Sequence, residues 1–271
     1  MNDGAGLRVQ SAQCTVHSSE RRGRIADRMN MKQTVLTIIE NMPLTASVYR
    51  MRLTGDLGEN RPGQFVNVSV PGLFLRRPIS VCDAEGDTLT LIYKVVGKGT
   101  EAMAGLAAGE KLDVLTGLGN GYDITAAGDK PLLVGGGVGV PPLYYLAKEL
   151  IKQGKTVSVV LGFNTADEVF YENEFCALGC RVTVTTVDGS YGTPGFVTAA
   201  LPKDAGYYYA CGPLPMLKAL YRAAGFPGEM SFEERMGCGF GACMGCSMMT
   251  KSGAKRVCKE GPVFKKEELL W

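Results

Sequence analysis

At 271 residues the chain is long enough for about two domains, each with its own core, which excludes a small disulfide-stapled scaffold. Its 45% apolar and 21% charged residues are the make-up of a globular protein, and 29 basic against 27 acidic side chains leave a charge of only +2. That balance excludes a nucleic-acid footprint, and five of the arginines sit in the first 30 residues against three acids, leaving 24 of each sign beyond.

Residues 1–30 are polar and unpatterned, with no apolar stretch of the secretory kind, and are expected to be a disordered extension ahead of Met31. The chain is accordingly expected in the cytoplasm. No run reaches the roughly 18 apolar residues of a membrane span; the longest uncharged run, Pro131 to Ala147, contains four glycines and three prolines. From Lys32 the spacing predicts short strands at Gln33–Glu40, Val48–Leu53, Phe65–Val70, Pro78–Asp83, Thr88–Val95 and Lys111–Leu115, separated by turn residues, hence an antiparallel barrel or sandwich. After Gly128 strands at Pro131–Val134, Thr156–Phe163, Arg181–Val187 and Tyr207–Cys211 alternate with helices at Pro141–Gln153 and Leu214–Ala224. That alternation implies a parallel α/β sheet. The tail from Met230 is glycine- and cysteine-rich and has no long periodic segment. The expected units are therefore 31–128, 129–228 and 229–271, an all-β part followed by an α/β part and a small cysteine-rich one.

Five motifs carry chemistry. Arg76-Arg77-Pro78-Ile79-Ser80 combines guanidinium, rigid extended backbone and hydroxyl, groups suited to a phosphate beside an apolar ring. Ile92-Tyr93-Lys94 runs into Gly97-Lys98-Gly99-Thr100, a glycine turn that also suits an ordinary helix entry. Leu132 to Pro142, with Gly135, Gly136, Gly137 and Gly139, reads as strand, glycine turn and helix start, the geometry that seats a pyrophosphate or, alternatively, merely packs tightly. No Arg or Lys lies between Gly162 and Glu168 to receive a 2′-phosphate, which favours NAD over NADP. Cys211-Gly212-Pro213 closes the last parallel strand, at the edge where open sheets bind ligands.

The fifth motif is Cys238-x4-Cys243-x2-Cys246-x11-Cys258. Its first three cysteines have the plant-type [2Fe–2S] spacing, in which each iron takes two thiolates. Structural zinc is the competing occupant, although zinc sites usually present two short Cys pairs and only Cys243-x2-Cys246 is one.

Taken in order, these motifs resemble the ferredoxin–NAD(P) reductase superfamily, and within it the electron-transfer subunits that serve an FMN-containing, dihydroorotate-oxidising catalytic subunit. The resemblance runs from about Met31 to Trp271. It implies an FAD-binding β-barrel, a doubly wound parallel-sheet NAD-binding domain and a C-terminal [2Fe–2S] domain. It further implies that Arg77, Pro78, Ile79 and Ser80 border the flavin, that Ile92, Tyr93 and Lys94 offer it strand backbone, and that Gly99 and Thr100 meet its pyrophosphate. NAD would lie on Gly135, Gly136, Gly137 and Gly139, with Cys211, Gly212 and Pro213 lining the nicotinamide. Cys238, Cys243, Cys246 and Cys258 would hold the cluster. Ile79 stands where many superfamily members carry a flavin-stacking Tyr. The implied assembly is a heterotetramer of two of each subunit in pyrimidine biosynthesis, and no residue of this chain is expected to act as a general acid or base. Two alternatives remain open: a flavin/iron–sulfur subunit of a transhydrogenase, sulfhydrogenase or glutamate-synthase-like complex, and a zinc-bound scaffold.

Overall fold

A computed structural model describes Met1 and residues 31–271; the expected disordered extension, with Cys14 and His17, lies outside the described residues. The first unit comprises β1 (Lys32–Pro43), β2 (Val48–Thr54), β3 (Phe65–Val68), β4 (Arg77–Glu85), β5 (Thr88–Lys94), a short helix α1 (Lys98–Ala104) and β6 (Lys111–Leu118). The strands close a barrel in the order β1-β2-β5-β4-β3-β6, every pairing antiparallel. Alternation builds its core. Leu36 and Ile38, Met51 and Leu53, Val66 and Val68, Leu89 and Leu91, and Leu112 and Val114 are buried two apart on their strands. Each such side chain contributes roughly 1.5–3 kcal/mol on burial.

The second unit continues with β7 (Pro131–Gly136), α2 (Pro141–Lys152), β8 (Ser158–Phe163), α3 (Glu172–Ala177), β9 (Arg181–Thr186), β10 (Thr193–Pro194), β11 (Tyr207–Cys211) and α4 (Leu214–Ala223). It is followed by β12 (Gly228–Ser231), β13 (Ser247–Thr250), β14 (Gly253–Arg256) and β15 (Val263–Lys265). The sheet order is β10-β9-β8-β7-β11-β12-β15, parallel except for β15. Strand β7 lies at the centre and every residue in it is buried, which is why it reads as an unbroken apolar run. Its Leu133 faces Leu143, Leu146, Ala147 and Leu150 of α2, whereas Leu132 and Val134 face Leu217 and Leu220 of α4. Helices thus cover both faces, as a doubly wound sheet requires.

The expected tail has no long element, and it does form only short strands. Two of them, β13 and β14, make a separate hairpin. The third, β15, joins the main sheet against β12 and makes it mixed rather than wholly parallel. Three-residue strands carry too little alternation to be read from sequence.

Candidate functional site

Strands β4 and β5 form a fork. Their ladder runs from Glu85–Thr88 to Val81–Leu91 and stops there. Continued in the same register, Ser80, Ile79 and Pro78 would oppose Ile92, Tyr93 and Lys94, the two residue runs singled out from sequence. Instead Arg77 to Ser80 pair on their other edge with β3, and Ile92 to Lys94 with β2. The facing edges are left as open backbone, and Pro78 brings no N–H to close them. The Tyr93 ring stacks on Tyr49 at 6.0 Å and its hydroxyl donates to Asn41 at 2.9 Å, so this residue offers the fork only its backbone. Burial pushes that hydroxyl up to about 12.

The glycine turn after β5 closes on the fork. A Cβ at Gly99 would lie 1.8 Å from Arg77 Nε, so the guanidinium lies directly on the start of α1. The Thr100 hydroxyl donates to the Gly97 carbonyl at 3.1 Å and accepts the Val96 amide at 2.9 Å. The turn is thus a helix entry whose first residues lie against Arg77 of the fork. The neighbouring arginines differ. Arg76 makes a two-pronged ion pair with Asp113, at 2.7 and 3.2 Å, whereas among the described residues the Arg77 guanidinium bonds only to the carbonyls of Leu75 and Arg76.

The second constellation lies where strand order reverses, between β7 and β11, with Gly135 opposite Cys211. A Cβ at Gly139 would stand 2.3 Å from the Cys211 carbonyl oxygen, and one at Gly136 would stand 2.5 Å from Met216 Sδ and 3.1 Å from Pro213. Tight packing accounts for these two glycines. Gly137 has φ +50° and open space around its Cα, at the mouth of the crevice. Gly212 completes the same crevice, and Pro213 precedes α4. Burial pushes the Cys211 thiol up to about 12, against a hydrogen bond with Ser231, so it is an uncharged lining group. At the end of β8, Glu168 accepts from the Asn164 backbone and side-chain amides at 3.1 and 2.8 Å. Lys94 Nζ of the barrel approaches Glu168 at 3.9 Å, a cation that no search of residues 162–168 alone can find.

The third constellation is the thiols. Ala242 and Cys243 donate their amides to Cys238 Sγ at 3.2 and 3.4 Å, and the Cys243 side chain also interacts with it. Burial alone raises the Cys238 thiol, but these donors and the Phe240 amide hold it down to about 6. Deeper in, the Cys258 amide donates to Cys246 Sγ at 3.4 Å; these two are 1% and 2% exposed. Burial and the facing Cys246 push the Cys258 thiol up. Arg256 braces the loop, donating to the Gly241 carbonyl at 2.7 Å while paired with Glu260. Among the described residues no three ligand-type side chains converge as a cage for a single ion. The thiols stand as two pairs, Cys238 with Cys243 and Cys246 with Cys258, the donor set of a cluster whose two irons each take two sulfurs.

Side chains invisible to motif reading join these constellations. Asn67 of β3, opposite Pro78 in the ladder, donates its Nδ2–H to the Cys238 carbonyl at 3.1 Å. Its one sequence signal is that it is polar inside the buried run Phe65–Val68. Lys148 of α2 pairs with Asp83 of β4, tying the helix of the glycine turn to the strand of the fork.

Residues 233–270 match the family model described as the iron–sulfur cluster binding domain of dihydroorotate dehydrogenase B, and residues 133–222 match that of the oxidoreductase NAD-binding domain. The chain is 47% identical over 258 residues to the dihydroorotate dehydrogenase B (NAD(+)) electron transfer subunit of Geobacillus sp. (strain WCH70), covering 89% of this chain and 99% of that one. It is 44% identical over 252 residues to the protein of that name from Fusobacterium nucleatum, covering 86% and 97%. Among solved structures, one described as an NADH-dependent reduced ferredoxin-NADP oxidoreductase superposes with a TM-score of 0.81 at 32% identity over 88% of this chain and 90% of that chain. A ferredoxin NADP+ reductase from Neisseria gonorrhoeae with bound FAD and NADP shares the fold, at a TM-score of 0.62 and 18% identity over 71% and 90%.

Proposed function

The chain belongs to the family of dihydroorotate dehydrogenase B electron-transfer subunits, and we propose that it carries electrons from an FMN-containing, dihydroorotate-oxidising partner to NAD+ through a [2Fe–2S] cluster and FAD. The observation that carries this reading is the docking of the paired thiols, through Cys238 and Asn67, against β3, the ladder partner of the strand that carries the flavin motif. A bound flavin supplies the exchange between single electrons and a hydride, which a one-electron cluster lacks. Two electrons and two protons leave dihydroorotate; two electrons and one proton reach NAD+, and one proton enters solvent.

The protein's own work is positional. Residues 31–128 hold FAD: Arg77 faces its phosphates beside Gly99 and Thr100, Pro78, Ile79 and Ser80 border its ring, and Ile92, Tyr93 and Lys94 present backbone from across the fork. Residues 129–228 hold NAD, with Gly135, Gly136, Gly137 and Gly139 at the pyrophosphate and Cys211, Gly212 and Pro213 at the nicotinamide. Residues 229–271 hold the cluster on Cys238, Cys243, Cys246 and Cys258. The complex contains two of each subunit and works in the cytoplasm; among the described residues no helix is long and apolar enough to cross a membrane.

Anaerobic co-purification with the FMN subunit tests this. Dihydroorotate-dependent NAD+ reduction is expected only with both chains present, together with FAD and about two irons and two sulfides per copy of this chain. A complex lacking flavin or iron, or NAD+ reduction by the partner alone, overturns it.

A further inference from the structure

Asn67 is 1% exposed and sits in the barrel wall, yet it bonds outside the barrel, to the backbone of a thiol residue 171 positions later. The orientation of its amide is fixed by chemistry: facing the Cys238 carbonyl, only the NH2 end makes a hydrogen bond, and a flipped amide would set two oxygens together. The approach is close. Gly239 has φ +80°, and a Cβ there would stand 2.4 Å from Asn67 Nδ2. On its strand Asn67 is directly opposite Pro78, so one residue touches the cluster loop and abuts the flavin motif. Its Oδ1 is buried with no hydrogen-bond partner among the described residues, an arrangement that costs stability. Arg76 closes the other side, donating to the Asn67 carbonyl at 3.4 Å while paired with Asp113.

We propose that Asn67 is a positioning residue for electron passage between cluster and flavin, holding the Cys238 segment at fixed register against β3. Each passage moves one electron, oxidising one cofactor and reducing the other, and two passages match one hydride exchanged with NAD. The inference rests on the flavin and cluster assignments above and adds the residue that sets their separation. Asn67 touches no reacting atom; it acts through the Cys238 backbone.

The test uses the full chain loaded with FAD and cluster, as wild type, Asn67→Asp and Gly239→Ala. Asn67→Asp keeps the shape and removes the donor; Gly239→Ala presses the loop off Asn67 from the other side and leaves the barrel untouched. Loss of a buried hydrogen bond of this kind lowers amide-exchange protection across residues 237–243 by about tenfold. In stopped flow, reduction of the flavin by NADH is expected at the wild-type rate in both variants, followed by slowed reduction of the cluster. The electron paramagnetic resonance line shape of the reduced cluster is expected to broaden. Wild-type exchange and wild-type cluster reduction in either variant overturn the proposal. A purified wild-type chain without flavin or cluster overturns instead the assignments on which it stands, so the two failures are distinct.

Discussion

Lys148 of α2 places its ammonium 2.7 and 2.9 Å from the two carboxylate oxygens of Asp83 on β4, with Glu85 a further 3.0 Å away. The Lys148 and Asp83 side chains are only 13% and 17% exposed, so this pair is far drier than a surface bridge. It joins the helix that starts at the glycine turn to the strand that starts at the flavin motif.

Lys148→Met is expected to cost about 1–3 kcal/mol, because it strands the Asp83 carboxylate in a half-dry interface. Urea unfolding of the loaded protein measures this. Burial lowers the Lys148 pKa, but the hydrogen bonds it donates to Asp83 and Glu85 outweigh it and hold it above the ordinary value. The raised value makes the contribution complete below the unfolded pKa of about 10.4 and lost as pH rises through the folded one. The gap between wild type and variant should therefore stay constant from neutral pH up to about pH 10, close beyond it, and shrink in acid, where Glu85, which Lys148 holds below its ordinary value, takes up its proton.

Glu229 of β12 is 2% exposed, and burial pushes its carboxyl from 4.5 up to about 7 despite the Asp123 amide donating to it at 3.0 Å. A raised carboxyl stabilises the fold fully below the unfolded pKa, and that contribution is lost as pH climbs through the folded value. Relative to Glu229→Gln, the wild type should lose up to about 3 kcal/mol between pH 4.5 and 8. Melting curves of both proteins across that range check it; a difference that does not change with pH would refute the burial argument.

The adjacent arginines should separate cleanly. Arg77→Ala is expected to weaken FAD binding about ten- to a hundredfold, the worth of a charge-assisted bond to phosphate. Arg76→Ala removes the Asp113 pair and should lower barrel stability by about 1 kcal/mol while FAD affinity changes much less. Flavin fluorescence titration of the two variants, beside their melting curves, decides between the assignments.

Cys243→Ser removes one thiolate from the outer pair and with it one of the four proposed iron donors. The reduced protein is expected to lose its [2Fe–2S] resonance and its response to the catalytic partner, while FAD content and NADH-driven dye reduction stay at wild-type levels. Retention of the partner-dependent reaction would show that the cluster is not the conduit.

Much of this was legible from residue order. Alternating burial on β1 and β2 and the continuous buried runs of β5 and β7 place the strands within a few residues of their predicted limits, because each is long enough to express its pattern. The motifs of the fork, the crevice and the thiol loop also stand out, since glycine, proline and cysteine are informative one at a time. What stayed hidden is what depends on pairs distant in the chain. Asn67 has no local signature beyond polarity in a buried strand, and Lys94 meets Glu168 only because the barrel lies beside the sheet. Helix α1 and strands β12 to β15 are too short to show a period.

Strand β15 carries one more consequence. The chain leaves the sheet at Ser231, makes the thiol loop and its hairpin, and returns to pair Val263 with Ser231, Phe264 with Met230 and Lys265 with Glu229. Asn120, on the linker out of the barrel, receives it through both Nδ2 and Oδ1 at Val263. The metal-binding segment is therefore an excursion from an edge of the nucleotide sheet, with both its ends stitched into that sheet, rather than a cassette hung on the end of the chain. Grafting it onto another reductase would require transplanting the returning strand and its asparagine clasp as well; a cut after Ser231 would leave the donor's own sheet with a raw margin.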